Sequence, residues 1–165
     1  LAHTPISGGQ IIEIEKLHIT LALPGRLGTH FQKNDVPYMK QSLTNILRNV
    51  SSFDITLQNF NVFPNLVFVE VYEPQGILQQ LHETICTEIP FSQHPEFRFQ
   101  HFVPHVSVVY GGQPRTPLTI ETNRWFGPFT FRVEQINFGK TQGTGERFGE
   151  LITTYTLDTP DIQLF

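Results

Sequence analysis

Apolar residues recur along this chain in two rhythms. From Asp35, Met39, Leu43, Ile46, Leu47 and Val50 fall at the spacing of one helical face, and Pro37 stands where a first turn tolerates it. From Pro74, the residues Ile77, Leu78, Leu81, Ile85 and Ile89 repeat that spacing until Pro90, which predicts a second helix that stops there. A weaker third helix is expected between Pro117 and Trp125. Elsewhere the rhythm is alternation. Leu17, Ile19, Leu21 and Leu23 share one side of an extended segment, and His18, Thr20 and Ala22 the other. Residues 53–60 and 66–72 are rich in β-formers, with a hairpin turn predicted over residues 61–65 around Pro64. Strict alternation over residues 103–110 puts Val106 and Val108 on one face and His105, Ser107 and Val109 on the other. Residues 129–138 and 150–157 flank a glycine-rich loop, residues 139–149, and read as a long hairpin. Residues 11–15 add a short strand.

Composition narrows the class. With 165 residues, 39% hydrophobic and 16% charged, the chain has enough apolar surface for a core, which excludes wholesale disorder. The best apolar run, residues 66–71, is interrupted by Glu70 and falls far short of the ~18 residues a membrane helix needs. Residues 1–10 lack the basic start and apolar stretch of a signal peptide, so a cytoplasmic protein without membrane partners is expected. One cysteine, Cys86, excludes an internal disulfide and any CxxC zinc or redox site. A net charge of −4 argues against gripping a long nucleic-acid duplex by charge. A soluble α/β or α+β domain fits these numbers, and it is expected to act as a monomer.

The chemistry concentrates in two tetrapeptides, His18-Ile19-Thr20-Leu21 and His105-Val106-Ser107-Val108. Each is histidine, apolar, hydroxyl, apolar, and each lies in a predicted strand. Alternation then puts imidazole and hydroxyl on one face while the apolar pair anchors the strand. Seven histidines among 6 serines and 17 threonines yield about one His-x-Ser/Thr by chance. His82-Glu83-Thr84, with its charged centre and helical setting, is that accidental match. Two such motifs with apolar flanks arise by chance in roughly one sequence in a hundred of this composition. Brought face to face, two histidines supply the base and the acid of a phosphodiester cleavage, each worth ~10²–10⁴-fold at neutral pH. The hydroxyls can hold the non-bridging oxygens. Such a site needs no metal, and no cofactor is expected.

The stretches Leu17-His18-Ile19-Thr20-Leu21-Ala22-Leu23 and Pro104-His105-Val106-Ser107-Val108-Val109-Tyr110-Gly111 resemble the two signature strands of the 2H phosphoesterase superfamily. That group includes 2′-5′ RNA ligase-like proteins, cyclic phosphodiesterases and 2′,5′-oligoadenylate phosphodiesterases. The resemblance spans about residues 15–157. It implies one two-lobed α+β domain over residues 1–165, with antiparallel sheets forming a central cleft and helices packed outside. In such proteins a strand and a helix usually precede the first signature, whereas 17 residues precede His18 here. By analogy His18 and His105 are the catalytic acid and base, and Thr20 and Ser107 bind phosphate. A basic residue often closes the second signature strand of the family; Tyr110 stands there instead, so phosphate charge is expected to fall to Arg26 or Arg115.

Other residues are weaker candidates. Tyr110, Phe102 and Tyr38 could stack on a base, although with 15 phenylalanines any one aromatic belongs more often to the core. His101 and His105 are four apart, but Pro104 and the β-rich residues after it oppose a helical metal pair. Gly139-Lys140-Thr141 imitates a P-loop end without its first glycine, since Glu134 occupies that position. Two classes of function remain. One is a metal-independent phosphodiesterase acting on a 2′,3′-cyclic phosphate or a 2′-5′ linkage of a small nucleotide or RNA end, with ligation as the reverse reaction. The other is a non-catalytic nucleotide- or RNA-binding module, which would not need both histidines.

Overall fold

The computed structural model describes residues 6–7, 9–89, 102–111, 113–114, 128–142 and 147–158. The third predicted helix, over residues 117–125, lies outside them. In chain order the elements are β1 (Ile6–Ser7), β2 (Gln10–Ile11), α1 (Val36–Leu47), β3 (Phe53–Phe63), β4 (Leu66–Tyr72), α2 (Ile77–Glu88), β5 (His105–Tyr110), β6 (Gln113–Pro114), β7 (Phe129–Val133), β8 (Gln135–Gln142) and β9 (Arg147–Thr156). One sheet has the order β2-β5-β4-β3-β7, antiparallel at β2–β5, β5–β4 and β4–β3. Two-stranded antiparallel sheets pair β1 with β6 and β8 with β9. The fold is therefore α+β. Its chain divides into two compact units, Leu1–Thr20, Ile55–Pro74 and Val103–Phe131 in the first, and Leu21–Asp54, Gln75–Phe102 and Arg132–Phe165 in the second. No helix among the described residues is long and apolar enough to cross a membrane.

Both helices lie where the periodicity predicts. Ahead of α1 the Gln32 N–H donates to the Asp35 carboxylate at 2.7 Å, and Pro37 occupies the first turn. Its buried face is Met39, Leu43 and Leu47; that of α2 is Leu78, Leu81, His82 and Ile85. After α2, Ile89 turns extended (φ −105°, ψ 101°), the conformation favoured before a proline such as Pro90. Met39, Leu43, Ile85 and Ile89 form the core of the second unit, with Leu21, Ala22, Phe31, Ile46, Phe138 and Tyr155 packed around them. The Tyr155 hydroxyl donates to the Lys40 carbonyl at 3.1 Å, and burial pushes its phenol pKa up.

The strands depart from simple alternation at several points, each with a local cause. Residues 17–23 form no regular strand; a single antiparallel bridge, Ile19 to Val106, joins them to β5. The expected strand at residues 11–15 is β2 followed by a 3-10 turn, Ile14–Lys16, closed by Lys16 N–H to the Glu13 carbonyl at 2.9 Å. β3 runs on to Phe63, so its turn to β4 is only Pro64 and Asn65. The stretch predicted as one strand at 129–138 divides at Glu134, whose carbonyl accepts from the Leu157 N–H at 2.8 Å. Its first part is β7, beside β3, and its second is β8. Residues 139–142 and 147–149, expected in a loop, belong to β8 and β9, and the register shifts beside Gly139 and Lys140 leave Ile152 and Gly149 of β9 as the extra residues.

Two β-bulges decide what the main sheet presents. Gln58 pairs with Glu70 and Phe60 with Val69, which leaves Asn59 extra, at φ +56°. Asparagine is one of few side chains that tolerate this left-handed backbone. On β5, Ser107 pairs with Phe68 and Val109 with Val67, so Val108 is the extra residue. Strict alternation therefore fails at Val109. It lies with Val106 on the apolar face, opposite Val67 and Val69, and all four are buried. The other face carries Phe68 and Glu70, His105 and Ser107, and, beyond the bulge, Tyr110 opposite Leu66.

Replacing Met39, which is 0% exposed at the centre of the second unit's core, by alanine is expected to cost about 2–5 kcal/mol in urea unfolding. A loss under about 1 kcal/mol would mean that the core is not organised around it.

Candidate active site

The Ile19–Val106 bridge brings the two signatures together. In an antiparallel pair, the residues flanking a bridge face one another and share the side away from it. His18 therefore lies across from Ser107, and Thr20 across from His105, all four on the face opposite Ile19 and Val106. In such a pair directly opposed Cβ atoms stand ~4.5–5.5 Å apart, and diagonal neighbours, as the two histidines are, about 7–8 Å, their Cβ atoms somewhat closer. The arrangement has local two-fold symmetry, with histidines on one diagonal and hydroxyls on the other. All four side chains are half-buried and belong to the first unit.

Each histidine is oriented in the same way. His18 Nδ1 lies 2.7 Å from the Lys16 carbonyl, and His105 Nδ1 lies 2.8 Å from the Val103 carbonyl, in both cases two residues back. A carbonyl only accepts, so Nδ1 carries the hydrogen of the neutral ring and Nε2 is the nitrogen without one. The local sequence supplies both carbonyls. Before His18, the 3-10 turn presents Lys16, whose ammonium pairs with the Glu13 carboxylate. Before His105, Pro104 biases Val103 towards an extended backbone.

Around His105 the sheet adds residues that sequence reasoning missed. Phe68 and Phe63 both meet its ring nearly edge-on, at centroid distances of 5.2 and 5.3 Å and interplanar angles of 62° and 86°. Glu70, across the ladder from His105, accepts from Asn59 Nδ2 at 3.2 Å and from Asn61 Nδ2 at 2.6 Å. One signal was present in the sequence. Glu70 is an acid inside an otherwise apolar β-run, which is costly unless something holds it.

Tyr110 shares the site face, because the Val108 bulge turns it there. Arg26 is exposed in the second unit, where its backbone N–H donates to His30 Nδ1 at 2.9 Å. Phe102 also belongs to the second unit, with one ring face stacked on His82 at 4.3 Å and 6°. Tyr38 is there too, its hydroxyl donating to the Glu88 carbonyl at 3.4 Å. Arg115 and His101 lie outside the described residues. Among the described residues, no three His, Cys, Asp or Glu side chains gather as a metal site would require.

The family model of the 2′-5′ RNA ligase superfamily matches residues 8–145, a span that contains both signatures. The chain belongs to this superfamily, a group of 2H phosphoesterases and RNA ligases. No curated protein matches the sequence. Solved structures share the fold. TT0787 of Thermus thermophilus matches with TM-score 0.64 and 13% identity, over 96% of this chain and 86% of that one. E. coli LigT complexed with NADP+ matches with TM-score 0.66 and 17% identity, over 92% and 81%. LigT complexed with 3′-AMP matches with TM-score 0.65 and 16% identity, over 90% and 80%. At these identities the likeness establishes the superfamily fold, and the chemistry has to be argued from this chain's own residues.

Long-range ¹H–¹⁵N spectra of the imidazoles are expected to show His18 and His105, when neutral, both as the Nδ1–H tautomer. An Nε2–H tautomer at either would contradict the carbonyl contacts.

Proposed function

We propose that the protein is a metal-independent phosphodiesterase that opens a 2′,3′-cyclic phosphate or cleaves a 2′-5′ linkage in a small nucleotide or RNA end. One observation carries this reading: two histidines with matched Nδ1–carbonyl bonds lie diagonally across a bridge, with a hydroxyl opposite each. For a cyclic phosphate, one Nε2 takes a proton from the attacking water while the other Nε2 gives its proton to the departing ribose oxygen. The P–O bond to water forms as the P–O bond to the ribose breaks, leaving a phosphomonoester and the histidines with exchanged protons. A diagonal spacing of ~7–8 Å between the two positions leaves room for a phosphoryl group between the rings. Thr20 and Ser107 hydroxyls on the other diagonal donate to its non-bridging oxygens as charge builds there.

The superfamily supports a nucleotide-sized substrate, and so do solved complexes of the structurally similar LigT with 3′-AMP and ATP. Tyr110, on the same face, is placed to stack on a base. The acidic chain suits this, because one captured phosphodiester needs local donors and no basic surface. Ligation is the reverse of the 2′-5′ cleavage and uses the same groups.

The protein is expected to turn over a 2′,3′-cyclic nucleotide or a 2′-5′ dinucleotide at an undiminished rate in excess chelator. His18→Ala and His105→Ala should each lower kcat by ~10²–10⁴-fold. Absence of turnover, or turnover unchanged in both variants, would rule out the catalytic reading. The pH profile of kcat/KM should be bell-shaped, and a monotonic rise from about pH 5 to 9 would contradict an acid–base pair.

A further inference from the structure

We propose that the tip of the β3–β4 hairpin is part of the active site, with Phe63 as a positioning residue that aims the His105 imidazole. The inference rests on the reading that His105 transfers a proton, because only then does the direction of Nε2 govern the rate.

The chain spends three unusual backbone features on delivering this one ring. Gln58 faces the site side of the sheet, opposite Glu70. Unbroken alternation would therefore turn Phe60 and Val62 to that side and Phe63 away from it. The bulge at Asn59, held at φ +56°, reverses the order, so that Asn61 and Phe63 face the site and Phe60 lies with Val69 on the apolar side. At the tip, Pro64 is followed by Asn65 at φ +65°, the sequence and backbone suited to a type II turn. Finally, the Gly111 N–H donates to the Asn65 carbonyl at 2.7 Å, which ties the tip to the end of the strand that begins with His105.

The delivered ring completes a frame. Phe63 stacks on Phe68 at 4.3 Å and 27°, and the two meet the His105 ring at 5.3 and 5.2 Å. The Nδ1–H bond to Val103 fixes the tilt of the imidazole about its own bond. Two aromatic walls meeting it steeply oppose rotation about the Cα–Cβ bond, since any swing drives the ring into one of them. Phe68 is 2% exposed and belongs to the core as well, whereas Phe63 is half-buried at a strand end. Phe63 is therefore the member of the frame that can be changed while the sheet is kept.

The test compares Phe63→Leu, which keeps apolar bulk without a ring, with Phe63→Tyr, which keeps the ring. Kinetics use a 2′,3′-cyclic nucleotide, beside imidazole ¹H–¹⁵N spectra and urea unfolding of each variant. Phe63→Leu is expected to lower kcat about 10- to 100-fold with KM within about twofold, and to shift the His105 imidazole signals while those of His18 stay in place. Phe63→Tyr should restore both kcat and the His105 signals. Asn59→Val, which places a β-branched residue where the left-handed backbone resists it, should reproduce the loss from a second site. Wild-type kcat and unmoved His105 signals in Phe63→Leu would overturn the proposal, as would equal losses in Phe63→Leu and Phe63→Tyr. If the wild type has no turnover, the phosphodiesterase reading fails while the His105 spectra still decide whether Phe63 orients that ring.

Discussion

The candidate site depends on the register of one backbone bridge, Ile19 to Val106. Because side chains alternate along extended chain, a slip of one residue at this point would turn His18 and Thr20 to the other face and leave His105 and Ser107 without counterparts. The register is fixed from both sides. Val106 is 6% exposed among the buried valines of the apolar face, so β5 cannot slide without exposing it. On the other strand, the 3-10 turn Ile14–Lys16 takes up slack between the β2–β5 pairing at Ile11–Val109 and the bridge. It also supplies the Lys16 carbonyl that orients His18, so one local structure sets both where the histidine stands and how its ring is turned.

The main sheet treats its two faces differently. Its apolar side gathers Val67, Val69, Val106 and, by way of the Val108 bulge, Val109, all buried, and this is the side that burial stabilises. Its other side is assembled by exceptions to regularity. A bulge at Val108 returns Tyr110 to the face of His105, and a bulge at Asn59 brings Asn61 and Phe63 there. Bulges cost ladder hydrogen bonds and, at Asn59, an unusual backbone angle, so their position beside the signature residues agrees with aiming side chains rather than with strength. The half-buried carboxylate of Glu70 fits the same description, since both of its oxygens accept from amides that the Asn59 bulge puts in reach.

Much of this was legible in the sequence, and the missing parts share a cause. The helices could be read because Met39, Leu43 and Leu47, or Leu78, Leu81 and Ile85, repeat a period that survives in the structure. The paired signatures could be read because the four residues that meet lie within two short strings of known alternation. A bulge leaves no such mark. Val108 looks like any valine between Ser107 and Val109, and alternation then assigns Val109 to the wrong face. The break at Glu134 is equally silent, because both halves of residues 129–138 favour strands and only pairing partners separate β7 from β8. Phe68 and Glu70 escaped notice because they join His105 through the β4–β5 pairing, a contact between segments far apart in sequence, and Phe63 because only the Asn59 bulge on β3 turns it to that face.

The measurement that bears most directly on the account is a titration with a non-hydrolysable nucleotide phosphate such as 3′-AMP, followed through the imidazole ¹⁵N signals. If the bridge puts both signatures around one phosphate, the His18 and His105 signals will move together along curves that give a single Kd, while those of His82, buried on α2, stay in place. Movement of only one of the pair, or two separate dissociation constants, would contradict a shared phosphate site.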